Sequence, residues 1–340
     1  MDVYILIVFI LSCLFSFIFL RKPRFQIGIF ILLGFILFII CITRNEINVR
    51  DYDAYLSMFR YKTDMVEVSF NLIRDFVIKY LSGDVFYLFF IYAIIGLVLK
   101  LYCIYKFSTN IILSLIIYLS YLYIVQDLTA IRIGAATSFV LLSLPHLVNR
   151  NLKKFLLCAI LATIFHSSAF VVFFLWFLNS KYIKPGYYIA ILILSYFIIP
   201  IVSQNLSLFQ HYFPIYLQSK LLAYETFENT EINIFNVWQL ARVILTIFFL
   251  LIASNLYKKN KYSILLVKIY FLATVTYVLL SFNPAFAGRI SEIFMIADII
   301  LLPQLLLIAN PKFKFITNII VLLIAGSYLY LNLYYLKLIN

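Results

Sequence analysis

Residues 153–184 read KKFLLCAILATIFHSSAFVVFFLWFLNSKYIK. Lys153 and Lys154 precede the apolar stretch 155–179, Lys181 and Lys184 follow it, and His166, Ser167 and Ser168 interrupt its middle. The stretch is too short for two full spans, each of which needs about 20 apolar residues. Lys and Arg mark the cytoplasmic flank of a membrane segment, so lysines at both ends place both ends on that side. The pattern predicts a helix–break–helix hairpin that dips into the membrane and returns. Non-helical backbone at such depth is tolerated only against protein or a water-filled cavity. The His-Ser-Ser break is therefore expected to face a cavity. The bland alternative is one ordinary span with a buried histidine. It would invert every later segment, placing Lys258, Lys259 and Lys261 outside and the acids of 225–231 inside.

The rest of the chain has the same character. Of its 340 residues 65% are hydrophobic and 12% charged, against about 45–50% and about 25% in soluble domains. That balance excludes a soluble enzyme, a disordered regulator and a secreted disulfide scaffold. Further candidate spans cover roughly 3–20, 25–42, 85–105, 110–125, 131–148, 187–203, 237–257, 262–281, 290–309 and 315–335. The first carries Asp2 before it and Arg21, Lys22 and Arg24 after it. A signal peptide has the opposite polarity, so this span is read as retained, with its N-terminus outside.

With the hairpin in place, the inside connections are 21–24, 100–109, 149–154, 181–184, 258–261 and 311–314. They hold fifteen of the 27 Lys and Arg and no acid, while thirteen of the 14 acids fall outside. The net charge of +13 is thus an orientation signal, and no nucleic-acid partner is implied. Cys13, Cys41, Cys103 and Cys158 lie singly in apolar runs, which indicates packing rather than a disulfide or zinc site. The expected fold is an all-α polytopic membrane protein. About ten transmembrane helices plus the re-entrant hairpin form a single membrane domain over 1–340, with both termini outside. Two long segments, 43–84 and 204–236, face outward. Within the first, residues 69–81 place Phe70, Ile73, Val77, Tyr80 and Leu81 on one helical face, suited to an interface.

No Walker loop, dinucleotide fingerprint or H-E-x-x-H is present. Ionisable residues instead gather at the outer ends of the spans. Arg50-Asp51-Tyr52-Asp53-Ala54-Tyr55 follows the second span. Its carboxylates read either as a D-x-D metal pair or as a solvated helix cap. Arg132 opens an apolar helix and is followed by Gly134, Ala135 and Ala136. A lone interfacial Arg usually snorkels, but this small-residue face also admits a close ligand or helix. Arg289 and Glu292 stand at i, i+3, where they can pair. Arg242 lies one turn into a later span. His166 in its break is either a satisfied core residue or a base. Several arginines at one membrane face suit a polyprenyl diphosphate, because their forks match phosphate oxygens and keep their charge.

Four motifs resemble those of the EpsG/Wzy-type polysaccharide polymerases. Asp51-Tyr52-x-x-Tyr55-x-x-x-Phe59 resembles the family's D-Y-x-x-Y-x-x-x-F segment. Arg132-Ile-Gly-Ala-Ala resembles its R-x-G-hydrophobic-A motif, and Phe165-His166-Ser167-Ser168-Ala169 its hydrophobic-H-x-S-A motif. Arg289-Ile-Ser-Glu-Ile-Phe294, ending near Pro303, resembles its late R-x-x-x-Y/F motif. They occur in the family's order from about residue 50 to 303.

The resemblance implies a GT-C-like glycosyltransferase in the bacterial cytoplasmic membrane, with its site facing the periplasm or exterior. Such an enzyme joins undecaprenyl-diphosphate-linked repeat units, which serve as donor and acceptor, by an inverting, metal-independent transfer without a cofactor. A chain-length regulator and a flippase are the implied protein partners, and membrane lipids the solvent. His166, Asp51 and Glu292 are the implied catalytic groups. By the phosphate and sugar chemistry of the clusters above, Arg132, Arg289, Arg50, Asp53, Tyr55 and Arg242 are the expected substrate-binding residues, and Asp51 with Asp53 as a metal pair is the alternative. A lipid-linked oligosaccharide flippase and a membrane acyltransferase are the competing readings.

Overall fold

Asp84, Asn110, Asn151, Asn236 and Asn283 each accept a backbone N–H two or three residues further on. Five helices thus begin where a short polar side chain satisfies one of the first free donors. The structure, a computed structural model, describes residues 1–19, 25–45, 47, 49–63, 66–204 and 232–339. In chain order its main helices are α1 (Asp2–Phe19), α2 (Gln26–Ile42), α3 (Tyr52–Arg60), α4 (Val68–Tyr80) and α5 (Val85–Phe107). They continue with α6 (Ile111–Ser120), the π-helical α7 (Tyr123–Thr129), α8 (Ile131–Val148), α9 (Leu152–Phe165) and the 3-10 helix α10 (Ser167–Phe177). Then follow α11 (Pro185–Gln204), α12 (Val237–Tyr257), α13 (Ser263–Leu279), α14 (Pro284–Met295) and α15 (Lys314–Tyr330).

Five helical stretches are long and apolar enough to cross a membrane: α5, α8, α12, Pro284–Ile308 and Pro311–Tyr335. α6 with α7 makes a sixth if the bent pair is one span. The apolar stretches Asp2–Ile18, Gln26–Ile42, Ser167–Phe177, Pro185–Ile201 and Ser263–Leu279 are shorter. The chain is therefore an all-helical polytopic membrane protein among its described residues. The connection 21–24 and residues 205–231, with Glu225, Glu228 and Glu231, lie outside the described residues.

The chain divides into two compact units, residues 1–176 with 298–340, and 177–297. In the first, α6 turns by 65° into α7, where the sequence predicts one span over 110–125. Tyr121 leaves the helical region there, at φ −129° and ψ −78°. The Ser120 carbonyl accepts Asn332 Nδ2 at 3.0 Å, which supplies a partner at the break.

Two charges also lie away from their expected places. Lys100, counted as an inside-loop residue, is fully buried within α5, and Asp127, expected in an outer turn, is buried in α7. The two pair at 2.6 Å. Asp127 further accepts Tyr118 Oη at 2.8 Å, and Gln126 Oε1 accepts Lys100 Nζ at 3.1 Å and Thr137 Oγ1 at 2.7 Å. A Cβ on Gly96 would lie 2.4 Å from Asp127 Oδ1, so only glycine lets the carboxylate approach α5. Arg44, at the end of α2, donates to the carbonyls of Cys41, Asp127 and Leu128 at 2.7, 2.8 and 2.7 Å. The inside connections without Lys100 still hold basic residues and no acid.

α9 ends at Phe165 because His166 adopts an extended backbone, φ −152° and ψ 117°. The chain then folds back. Phe155 stacks on Trp176 with centroids 5.5 Å apart, and Arg150 Nη1 donates to the Trp176 carbonyl at 2.5 Å. A hairpin with neighbouring ends is the shape the flanking lysines predict. Its break meets protein: Ser69 Oγ donates to the Ile164 carbonyl at 2.7 Å, and Glu67 Oε1 accepts Ser167 N at 3.3 Å.

α4 begins at Val68, and Phe70 and Val77 are fully buried as its apolar face predicts. Tyr80 departs from that face. With Val68, Leu72 and Phe76 it is 48–68% exposed, and the four form an i, i+4 stripe on the opposite side. Arg74 turns back to donate to the Phe59 carbonyl at 2.6 Å, fixing α3 against α4.

In the second unit α13 is the buried helix. Thr246 of α12 and Thr274 of α13 share a hydrogen bond at 2.7 Å, and Gln239 Nε2 donates to the Thr274 carbonyl at 3.2 Å. Lys268 is buried and donates to the carbonyls of Asn179 and Tyr182 at 2.6 and 2.9 Å.

Candidate functional site

Arg132 stands in the first turn of α8, and His166 closes α9. The carboxylate of Glu67, the residue before α4, joins them. Arg132 Nη1 donates to Glu67 Oε2. His166 Nδ1 lies 3.1 Å from Glu67 Oε1, the oxygen that also accepts Ser167 N. The Arg132 guanidinium carbon lies 5.9 Å from the ring centre of Tyr55, which is buried on α3. Four elements thus meet in one cluster. The Ser69 bond to the end of α9 and the Phe70–Tyr55 ring contact at 6.2 Å hold α4 in place for it.

The electrostatics follow from burial and pairing. Burial by itself raises the Glu67 carboxyl, but the His166 hydrogen bond and the Arg132 charge outweigh it and hold the group well below the usual carboxylate range. Glu67 is therefore ionised at neutral pH. Burial pushes the Tyr55 phenol up against the lowering effect of Arg132, so Tyr55 remains a neutral donor. Arg132 Nε is buried and meets no acceptor among the described residues. A buried guanidinium N–H without a partner is costly, and an anion at that point would satisfy it.

The D-x-D reading fares differently. Asp51 occupies the N-cap position of α3 without a side-chain cap bond, half-buried and close enough to act on Tyr55 one turn later. Asp53 and Arg50 are exposed. Among the described residues no three His, Cys, Asp or Glu side chains group as metal ligands. The structure thus brings Arg132, His166 and Tyr55 together with Asp51 at the margin, and leaves Asp53 and Arg50 in the periphery.

The second unit holds its own cluster. Arg242 Nη1 donates to Ser291 Oγ at 3.0 Å, and its guanidinium lies 5.4 Å from the Tyr277 ring centre. Glu292 of α14 is within electrostatic reach of Arg289 and Arg242. The carboxylate thus has both arginines as neighbours, where the i, i+3 spacing predicts Arg289 alone.

A model of the EpsG family matches residues 27–339. The chain belongs to the EpsG family. The match runs from α2 through the C-terminal tail, so both clusters lie inside the EpsG-family region. At the level of that family it is an integral membrane protein of polysaccharide biosynthesis, a polymerase of glycosyltransferase type. No curated protein and no solved structure matches the chain.

Glu67 is a member of the Arg132–His166 cluster that the sequence motifs leave out. It follows Asp64 by three residues in DMVEVS, outside the four motifs. The signal available for it is position: an acid directly before an amphipathic helix on the outward segment.

Proposed function

We propose that this chain joins repeat units carried on undecaprenyl diphosphate at the outer face of the cytoplasmic membrane. In this reading ten spans and the re-entrant hairpin form a GT-C-like architecture with both termini outside. The observation that carries the proposal is the meeting of Arg132 and His166, distant in sequence, on one half-buried carboxylate, with Arg132 Nε still short of an acceptor among the described residues. A phosphate-binding cation beside a titratable imidazole suits transfer from a diphosphate to a hydroxyl.

The reaction balances without a covalent enzyme intermediate. The acceptor hydroxyl oxygen attacks the anomeric carbon and inverts it, while its proton passes to His166. The bond from that carbon to the diphosphate breaks, and the electron pair leaves with the lipid diphosphate. Arg132 is assigned to phosphate charge, since fixed cations aimed at developing charge are a large catalytic effect, and Arg289 and Arg242 are assigned to substrate binding in their own cluster. Asp51 and Glu292 are the competing bases, and Tyr55 and Asp53 are assigned to sugar hydroxyls. A chain-length regulator and a flippase would act with the enzyme.

The test is the glycan ladder of a null strain complemented with Arg132→Lys or His166→Gln. Single capped repeat units in both, at normal membrane abundance, support the polymerase reading. Wild-type chain length in both overturns it. A null strain without surface glycan would indicate a flippase, and one with full-length but unmodified chains an acyltransferase.

A further inference from the structure

Neither role above uses Glu67, yet three groups converge on its carboxylate: Arg132 on Oε2, and His166 Nδ1 and Ser167 N on Oε1 at 3.1 and 3.3 Å. We infer that Glu67 is a positioning residue for the transfer reaction, holding the His166 imidazole in the tautomer with its proton on Nδ1 and leaving Nε2 as the basic nitrogen. The inference rests on His166 being the base.

An ionised carboxylate can only accept hydrogen bonds, so the ring nitrogen that faces it carries the proton. Glu67 is ionised, because its His166 and Arg132 partners outweigh the effect of burial. In a neutral imidazole the other nitrogen then holds the lone pair that a general base needs. Three constraints keep the carboxylate from turning away. Arg132 holds Oε2, the Ser167 amide holds Oε1, and Ser69 ties the start of α4 to the end of α9.

The surrounding charged and titratable groups are Arg132 from α8, Tyr55 from α3 with Asp51 beside it, and Tyr92 from α5. Among these, Glu67 is the carboxylate in contact with the ring. When the acceptor proton reaches Nε2, an imidazolium forms 3.1 Å from a fixed negative charge. That charge favours the proton transfer, and the proton leaves to water once the lipid diphosphate has departed. Sharing the carboxylate also links the two roles of the site, since Arg132 and His166 are oriented by the same group.

The test uses the whole protein in detergent micelles with 15N-labelled histidine. The chain has 3 histidines, His146, His166 and His211, so the His166 signal is assigned by its loss in His166→Gln. The expected wild-type signal is the Nδ1–H tautomer. In Glu67→Gln the His166 titration midpoint is expected to move about one pH unit lower, since an opposite charge favours the protonated form. With membranes carrying the strain's own lipid-linked repeat units, kcat of that variant should fall about 10- to 100-fold, less than the about 10²–10⁴-fold effect of a whole general base, with KM little changed.

An Nε2–H tautomer in the wild type, or an unmoved midpoint in Glu67→Gln, overturns the inference. Where Glu67→Gln does not accumulate, the wild-type tautomer and the Glu67→Asp variant decide. Glu67→Asp keeps the charge and is expected to keep both the tautomer and the midpoint, and loss of either overturns the inference. The underlying reading fails separately. Full polymer length in His166→Gln removes His166 as base. An inactive His166→Gln with an unmoved midpoint in Glu67→Gln leaves the base in place and removes only the role of Glu67.

Discussion

Lys100 Nζ sits 2.6 Å from Asp127 Oδ2, with both side chains withdrawn from solvent. The pair joins the middle of α5 to the π-helical turn that leads into α8 and Arg132. Removing one member leaves a buried charge uncompensated, which costs about 3–5 kcal/mol. Lys100→Met and Asp127→Asn should each lower the thermal unfolding temperature in detergent and the abundance in membranes. The double variant Lys100→Met/Asp127→Leu should recover most of that loss, because it leaves no charge unpaired. A double variant as unstable as either single one would show that the pair contributes through its hydrogen-bond network rather than its charge.

Gly96 tests the same contact from the other side. An alanine there puts its Cβ 2.4 Å from Asp127 Oδ1. Overpacking of this kind costs about 1–3 kcal/mol. Gly326→Ala in α15 has no atom within 4 Å of the added carbon and serves as the control. Unfolding temperatures should fall for Gly96→Ala and hold or rise for Gly326→Ala. Equal values would mean that Asp127 shifts freely.

Arg132→Lys retains charge and loses the planar fork that matches phosphate oxygens. Polymer length should collapse in that variant while the protein stays at wild-type level in the membrane. Arg289→Lys is expected to behave alike in the second unit. Wild-type ladders from both would remove phosphate binding from Arg132 and substrate binding from Arg289.

Glu67 sets a pH dependence with a defined sign. Its carboxyl is held below the ordinary glutamate value of 4.5 in the folded chain. The stability it contributes is therefore fully present above about 4.5 and is lost as pH falls through the depressed folded value. The unfolding temperature of the wild type should drop more steeply below that pH than that of Glu67→Gln. Parallel curves would mean that its pairing does not stabilise the fold.

Orientation is open to cysteine labelling. The exposed Lys62 belongs to the segment expected outside, and Lys259 to a basic connection expected inside. A membrane-impermeant thiol reagent applied to intact cells should modify Lys62→Cys and miss Lys259→Cys. The reverse pattern would invert the topology.

The sequence alone determined that the chain is helical and lives in lipid, because hydropathy over about 20 residues needs no knowledge of neighbours. It also determined the interruption at His166, since a polar break inside the apolar stretch 155–179 is a local fact. Arg132 and His166 were legible as polar residues set in apolar runs, and Tyr55 as a member of the Asp51–Phe59 motif. Tertiary structure decided what they touch. Glu67 carries no local signal beyond its position before α4, and only the docking of α4 against the end of α9 brings its carboxylate between Arg132 and His166. Lys100 and Asp127 mislead in sequence for the same reason. Each looks like a loop charge until the fold places them face to face, and a buried charge becomes tolerable only when its partner arrives from elsewhere in the chain.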